Sequence, residues 1–157
     1  KNKRKFFLII VLLSVILLRG NAKDYRFRNV TIPGASTILC LSQDGDGMMW
    51  MGTERGLYAY DGYHFYPHFE EHSFSNQRVH CVRRAGDRLY LGCDNGLLLY
   101  NIRANRYEKV PVGGPKDIRA VLFSGRKVYL GSSQGLYAYD PFLKKIRKEG
   151  NEHSAVY

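Results

Sequence analysis

WMGTERGLYAYD (Trp50–Asp61), YLGCDNGLLLYN (Tyr90–Asn101) and YLGSSQGLYAYD (Tyr129–Asp140) align without gaps at spacings of 40 and 39 residues, and the first and third agree at seven of twelve positions. Gly52/Gly92/Gly131, Gly56/Gly96/Gly135, Leu57/Leu97/Leu136 and Tyr60/Tyr100/Tyr139 are the same in every copy. Upstream, Ile38-x-Cys40-Leu41, Val79-x-Cys81-Val82 and Ile118-x-Ala120-Val121 also correspond, once one extra residue is allowed in the turn Asp44–Gly47. A repeat of this length makes each copy one supersecondary unit that buries its apolar faces by stacking on its neighbours.

Each copy reads as four short strands. The first surrounds Cys40, Cys81 or Ala120; the second is the aromatic-Leu/Met-Gly triplet; the third is Leu-Tyr-Ala-Tyr or its equivalent. Arg55-Gly56, Asn95-Gly96 and Gln134-Gly135 place a hairpin turn between the second and third strands, and Asn-Gly predicts a type I′ turn with positive φ at both central residues. The turns Asp44–Gly47, Ala85–Asp87 and Ser124–Arg126 join the first strand to the second. A fourth strand falls at His64–Tyr66, Arg106–Val110 and Lys145–Lys148, where charge suits an outer edge.

A four-stranded unit of about 40 residues, repeated, predicts an all-β fold of β-propeller blades. The third strands are apolar or aromatic throughout instead of alternating, as expected of sheets packed on both faces. The blades fall at 35–76, 77–116 and 117–152, with 153–157 leading into a fourth. At least four blades are typical of a closed ring, so the chain reads as an incomplete arc of about three, the N-terminal part of a longer protein. Residues 23–34, with Tyr25–Ile32 alternating in polarity, predict a strand that in a complete ring closes the last blade.

Before the repeats, Phe6–Leu18 is an apolar run of 13 residues, short of the ~20 that cross a bilayer as a helix. It follows Lys1, Lys3, Arg4 and Lys5 and precedes Gly20-Asn21-Ala22, the pattern of a secretory signal peptide over 1–22, with an uncleaved anchor as the alternative. Those four cations and Arg19 account for half of the formal charge of +10; the other 19 Lys and Arg against 14 Asp and Glu leave +5. The missing initiator Met also reads as the mark of a fragment. Three cysteines allow at most one internal disulfide, and Cys40, Cys81 and Cys93 read as small buried residues.

Ser42-Gln43-Asp44-x-x-Gly47-x-x-Trp50-Met51-Gly52-Thr53-Glu54-x-Gly56-Leu57-x-x-Tyr60-Asp61-Gly62 closely resembles the two-component regulator propeller repeat, Q-D-x-x-G-x-[IL]-W-[IV]-G-T-x-x-G-L-x-x-[YF]-[DN]-G. The second and third copies depart from it: Tyr90 and Tyr129 replace Trp, Cys93 and Ser132 replace Thr, and the Gln-Asp pair is missing. The resemblance implies the start of the periplasmic sensor of a Bacteroidetes-type hybrid two-component protein. In that family two seven-bladed propellers and a β-sandwich precede a membrane helix, a histidine kinase, a receiver and often an AraC-type DNA-binding domain. It further implies an oligosaccharide ligand, control of transcription, dimerisation through the parent protein, and a parent anchored in the inner membrane.

Within the repeat, the shared glycines, leucines and tyrosines read as structural, Trp50, Tyr90 and Tyr129 as inter-blade core, and Asp61, Asn101 and Asp140 as turn caps. The variable loop residues are the candidates for ligand contact, because rigid scaffolds carry function on their loops: Ser36, Thr37, Glu54, Arg55, Asn76, Gln77, Arg78, Asp94, Asn95, Lys116, Asp117, Ser133 and Gln134, with Phe74 as a stacking platform. Amides, carboxylates and Arg suit hydroxyl recognition. No catalytic residue, metal or cofactor is implied: His64, His68, Glu70, Glu71 and His72 cluster where such groups are usually solvated, and no HExxH, GxSxG or phosphate loop is present. A propeller glycosidase or lyase and an interaction scaffold remain alternatives. The basic run Lys144–Lys148 is too short to argue for nucleic acid.

Overall fold

The computed structural model describes residues 3–5, 26–68, 77–110 and 113–150. Its strands are β1 (Ile38–Gln43), β2 (Met49–Thr53), β3 (Gly56–Tyr60), β4 (Phe65–Pro67), β5 (Val79–Ala85), β6 (Arg88–Cys93), β7 (Gly96–Asn101), β8 (Arg106–Lys109), β9 (Ile118–Ser124), β10 (Lys127–Ser132), β11 (Gly135–Asp140) and β12 (Lys145–Glu149). They form three antiparallel sheets of four strands, each in sequence order, β1 to β4, β5 to β8 and β9 to β12. These are the blades of an unclosed propeller arc, as the repeat predicts. The inner strands β1, β5 and β9 lie side by side.

Two shared cores join the blades. Trp50, Leu57 and Ala59 of blade 1 pack on Val79, Val82, Leu89, Leu91, Leu98 and Tyr100 of blade 2. The other face of blade 2, with Cys81, Tyr90 and Leu99, packs on Ile118, Val121, Val128, Leu130 and Tyr139 of blade 3. Both faces of β6 and β7 are therefore largely dry, which explains their unbroken apolar pattern. Each fully buried Leu contributes about 1.5–3 kcal/mol.

Gly52 and Gly92 set the distance between blades. A Cβ on Gly52 would lie 2.4 Å from the Val79 carbonyl oxygen, and one on Gly92 would lie 2.6 Å from the Ile118 carbonyl oxygen. At Gly131 the nearest atom would be the Ala120 Cβ at 3.3 Å, in its own blade. Over that glycine the outward face of blade 3 is an open depression of about 430 Å3, lined by Ala120, Gly131, Ser132 and Leu136 among others. Leu122 and Leu136 are exposed there, and Tyr129, expected as inter-blade core, is only half-buried.

The repeat leucines, alike in sequence, are not alike in burial. Leu57 is fully buried in the core between blades 1 and 2. Leu97, expected to be its structural equivalent, is only half-buried at the margin of the core between blades 2 and 3. The neighbouring blade accounts for the difference: blade 2 adds buried Cys93 to the core around Leu57, whereas blade 3 has the polar, half-buried Ser132 at that position and adds nothing equivalent around Leu97. Leu136 has no blade beyond it among the described residues and is exposed.

Three further expectations change. Hairpins join β2 to β3, β6 to β7 and β10 to β11, with Thr53 opposite Gly56, Cys93 opposite Gly96 and Ser132 opposite Gly135. Only the glycines have positive φ, at 121°, 119° and 114°; Arg55, Asn95 and Gln134 do not. The turns are therefore not type I′: a left-handed glycine after the two turn residues restores the twist that the strands need. Residues 26–34, expected as a strand, form none, because a strand requires a ladder partner and no sheet pairs with them. Within that stretch Ile32 is buried against Met51 and Tyr58 on the outward face of blade 1, and the Tyr58 hydroxyl donates to the Pro33 carbonyl at 3.1 Å. His68, expected to be solvated, instead packs between blades, 5.4 Å from the Trp50 ring and 5.2 Å from the Tyr100 ring. The expected signal peptide lies outside the described residues except at 3–5, and so do Glu70, Glu71, His72 and the lead into a fourth blade.

Candidate functional site

The antiparallel register places two sets of segments at the same end of each blade. Ile38 pairs with Thr53, Val79 with Cys93 and Ile118 with Ser132. The β2–β3 turn Glu54-Arg55 thus lies beside the lead-in Ser36-Thr37; Asp94-Asn95 and Gln77-Arg78 correspond to them in blade 2, and Ser133-Gln134 and Lys116-Asp117 in blade 3. This end gathers the candidate ligand residues, apart from Asn76 and Phe74, which lie outside the described residues.

Some of these side chains brace the scaffold. The Glu54 carboxylate accepts from the Ser36 and Thr37 backbone N–H groups at 2.7 and 2.9 Å and from the Ser36 hydroxyl at 3.1 Å. Those bonds, led by the Ser36 N–H, draw its pKa down to about 2. In blade 3 the Gln134 side-chain oxygen accepts from the Lys116 N–H at 3.3 Å. The turn beneath is held by Thr53 and Ser132, whose hydroxyls donate to the Gly56 and Gly135 carbonyls at 3.0 and 3.1 Å.

Between blades 2 and 3 the same end carries a polar cluster. His80 on β5 lies with Nε2 2.6 Å from Asp94 Oδ1 and 3.7 Å from Asp117 Oδ1. Arg119 on β9 donates from Nε to both Asp117 oxygens, at 3.1 and 3.2 Å. The Asp117 N–H donates to the Asp94 carbonyl at 2.8 Å, which ties the two blades. Asp117 takes φ 52°, a left-handed geometry that aspartate tolerates better than most residues. The Arg119 hydrogen bonds, helped by Ser133 and by the charges of Arg119 and His80, outweigh partial burial and hold the Asp117 carboxyl below the ordinary range. His80, Asp94 and Asp117 are near enough to share a small cation, but His80 and Arg119 already engage both carboxylates.

His80 and Arg119 are not among the loop residues that the sequence singles out, because both sit on inner strands. The signal was available: at the position where blade 1 has Leu39, blades 2 and 3 carry a base. Gln77 is half-buried, while Arg55, Arg78, Asn95, Lys116 and Gln134 are exposed.

The opposite end of the blades is built from the motif residues. Asp44 accepts from the Trp50 indole N–H at 2.9 Å and from the Asp46 and Met48 N–H groups at 3.0 Å, and pairs with Arg84 of blade 2 at 2.8 Å. Burial pushes the Asp44 carboxyl up, but those bonds and the guanidinium outweigh it and hold its pKa low. Where Ala85 and Ser124 replace this aspartate, Tyr90 and Tyr129 replace the tryptophan, so donor and acceptor are lost together. Asp61, Asn101 and Asp140 cap the turns that follow β3, β7 and β11, as expected. The three cysteines are unpaired. Burial pushes the Cys40 thiol up to about 11 and raises those of Cys81 and Cys93, which makes them packing residues.

Residues 32–55 match the family model described as two component regulator propeller. No curated protein matches the chain. The extracellular domain of BT4673 from B. thetaiotaomicron, described in one structure as a hybrid two-component system and in another as a one-component system, is 38% identical, with TM-scores of 0.71 and 0.68 over 76% and 74% of this chain. This chain spans 16% of that relative's length. The extracellular domain of the B. thetaiotaomicron hybrid two-component system BT3049 matches at 15% identity and TM-score 0.62, over 73% of this chain and 17% of its own, and shows the fold alone. The computationally designed Ika4 protein likewise shows only the fold, at 16% identity and TM-score 0.62 over 82% of both chains. Blade 1 thus carries the two-component regulator propeller repeat, within an unclosed three-sheet arc that is similar to part of the extracellular domain of BT4673.

Proposed function

We propose that this chain is part of the extracytoplasmic sensor of a hybrid two-component signalling protein, and that it contributes to binding an oligosaccharide whose presence controls transcription. The observation that carries the reading is the end of the arc where His80, Asp94, Asp117 and Arg119 meet. It joins charged hydrogen-bonding groups on two blades, in a chain 38% identical to the extracellular domain of BT4673. Carboxylates, imidazole and guanidinium at a rigid rim suit sugar hydroxyls, which accept and donate in fixed directions. In this reading the segment binds and does not catalyse, in keeping with its likeness to the extracellular domain of a hybrid two-component system.

In this reading the segment is periplasmic, exported by a signal peptide and anchored through the inner membrane by its parent, which dimerises to drive a kinase outside this chain. Oligosaccharide microarray binding by the full chain is the test. Concentration-dependent binding of a defined saccharide set, weakened by Arg119→Gln, is expected; binding untouched by substitutions at this end of the blades contradicts the assignment.

A further inference from the structure

The acids and bases at the lead-in end of the arc are unequally committed. Each acid there has a partner: Glu54 is held by Ser36 and Thr37, Asp94 by His80, and Asp117 by Arg119. The cations are largely uncommitted. Among the described residues, Arg55, Arg78 and Lys116 make no side-chain hydrogen bond or ion pair, and all are exposed. Arg119 uses only its Nε on Asp117, and its side chain is 70% exposed. Arg55 comes from the β2–β3 turn, Arg78 from the lead-in to β5, Lys116 from the lead-in to β9, and Arg119 from β9 itself. The topology thus places four cations from three adjacent blades at one end, three of them without a side-chain partner among the described residues, while the neighbouring carboxylates are each held against the scaffold.

We infer that the saccharide taken at this end is acidic, carrying carboxylate or sulfate groups. The inference rests on the saccharide-sensing reading above and deepens it. A neutral sugar would offer the guanidinium and ammonium donors only uncharged hydroxyl acceptors. An anionic one gains charge-assisted hydrogen bonds, about twice as strong as neutral ones, and bidentate contact with Arg. The three carboxylates keep their charge but are turned onto Ser36, Thr37, His80 and Arg119, and the four cations outnumber them. Both acid groups present the same planar or tetrahedral oxyanion chemistry, and the ligand pairs below separate them.

Calorimetric titration of the full chain with matched pairs is the test: tetragalacturonic acid against its carboxyl-reduced form, and a sulfated galactan tetrasaccharide, which has no carboxylate, against its desulfated form. Binding is expected from an acidic member and not from its uncharged partner, and the pair that responds names the acid. Affinity should fall roughly tenfold between 50 and 300 mM salt, because screening reaches exposed charges, and roughly tenfold in Arg78→Gln or Lys116→Gln. Arg103→Gln, on the opposite turn where Arg103 pairs with Asp87 at 2.9 Å, should change nothing. Equal binding of a neutral partner, or an equal loss in Arg103→Gln, overturns the acidic assignment and leaves saccharide sensing standing. No binding by any member of either pair overturns both.

Discussion

A single methyl group distinguishes the interior of the arc from its open face. Gly92→Ala puts a Cβ 2.5 Å from the Cys81 Sγ of its own blade, and 2.6 Å from the Ile118 carbonyl oxygen and 2.8 Å from the Ile118 Cγ2 of the neighbouring one. A backbone oxygen cannot rotate away, so blades 2 and 3 must separate by several tenths of an ångström along a core that includes Cys81, Tyr90, Leu99, Val121 and Leu130. Overpacking of this kind costs about 1–3 kcal/mol. At roughly 4 °C per kcal/mol for a unit of this size, Tm should fall by roughly 4–12 °C. Gly131→Ala is the internal control, since its new methyl group meets nothing nearer than the Ala120 Cβ at 3.3 Å. Replacing glycine also removes about 0.4–1 kcal/mol of unfolded-state entropy, which offsets that contact and leaves Tm within a few degrees. Circular dichroism melts of both variants, with urea titrations to check two-state behaviour, measure the difference. Equal losses in the two variants, or an unchanged Gly92→Ala, would refute the claim that this glycine is fixed by blade approach.

Asp44→Ala should cost about 2–4 kcal/mol, because it strips the Trp50 indole N–H and Arg84 of a shared acceptor. In the Asp44→Ala, Trp50→Tyr double variant, which copies the pairing of Ala85 with Tyr90, the losses should be less than additive by about 1 kcal/mol in a double-mutant cycle. Burial lowers the His68 pKa from its ordinary 6.5, so the unfolded chain takes up the proton first. Stability should therefore fall as pH drops from 7 to 5, above the range in which Glu54 and Asp61, both drawn to about 2, lose theirs. His68→Gln should flatten that slope in chemical denaturation. Thiol titration at pH 8 should find Cys40, Cys81 and Cys93 slow in the native chain and fast in urea, since burial keeps them protonated.

The fold was legible because the repeat reports it three times over. Strand positions, hairpin offsets and the Asp61, Asn101 and Asp140 caps all follow from the aligned copies. The turn type was not, because Asn-Gly fits two geometries and only the placement of Thr53 opposite Gly56 selects one. Identity between copies also overstated their likeness in burial, since how far Leu57, Leu97 and Leu136 are covered depends on the next blade and not on their own. Contacts that cross between blades were hidden for the same reason: Arg84 on Asp44, His68 on Tyr100, and Ile118 over Gly92 join residues about 25 to 40 positions apart, and no local pattern encodes their approach. For the candidate site, the loops were identified but not the division of labour within them. Glu54 and Gln134 read from sequence as ligand contacts and are seen bracing the lead-in segments. His80 and Arg119 lie one residue after the start of their strands, where a binary pattern expects core or channel.

Hydrogen exchange on the full chain, with and without a binding saccharide from the microarray, tests most directly where this arc meets its ligand. Protection is expected at the lead-ins 36–37, 77–78 and 116–117 and the turns 54–55, 94–95 and 133–134, with the opposite turns 44–47, 86–87 and 125–126 unchanged. Protection confined to those opposite turns, or none anywhere while the saccharide is bound, would contradict it.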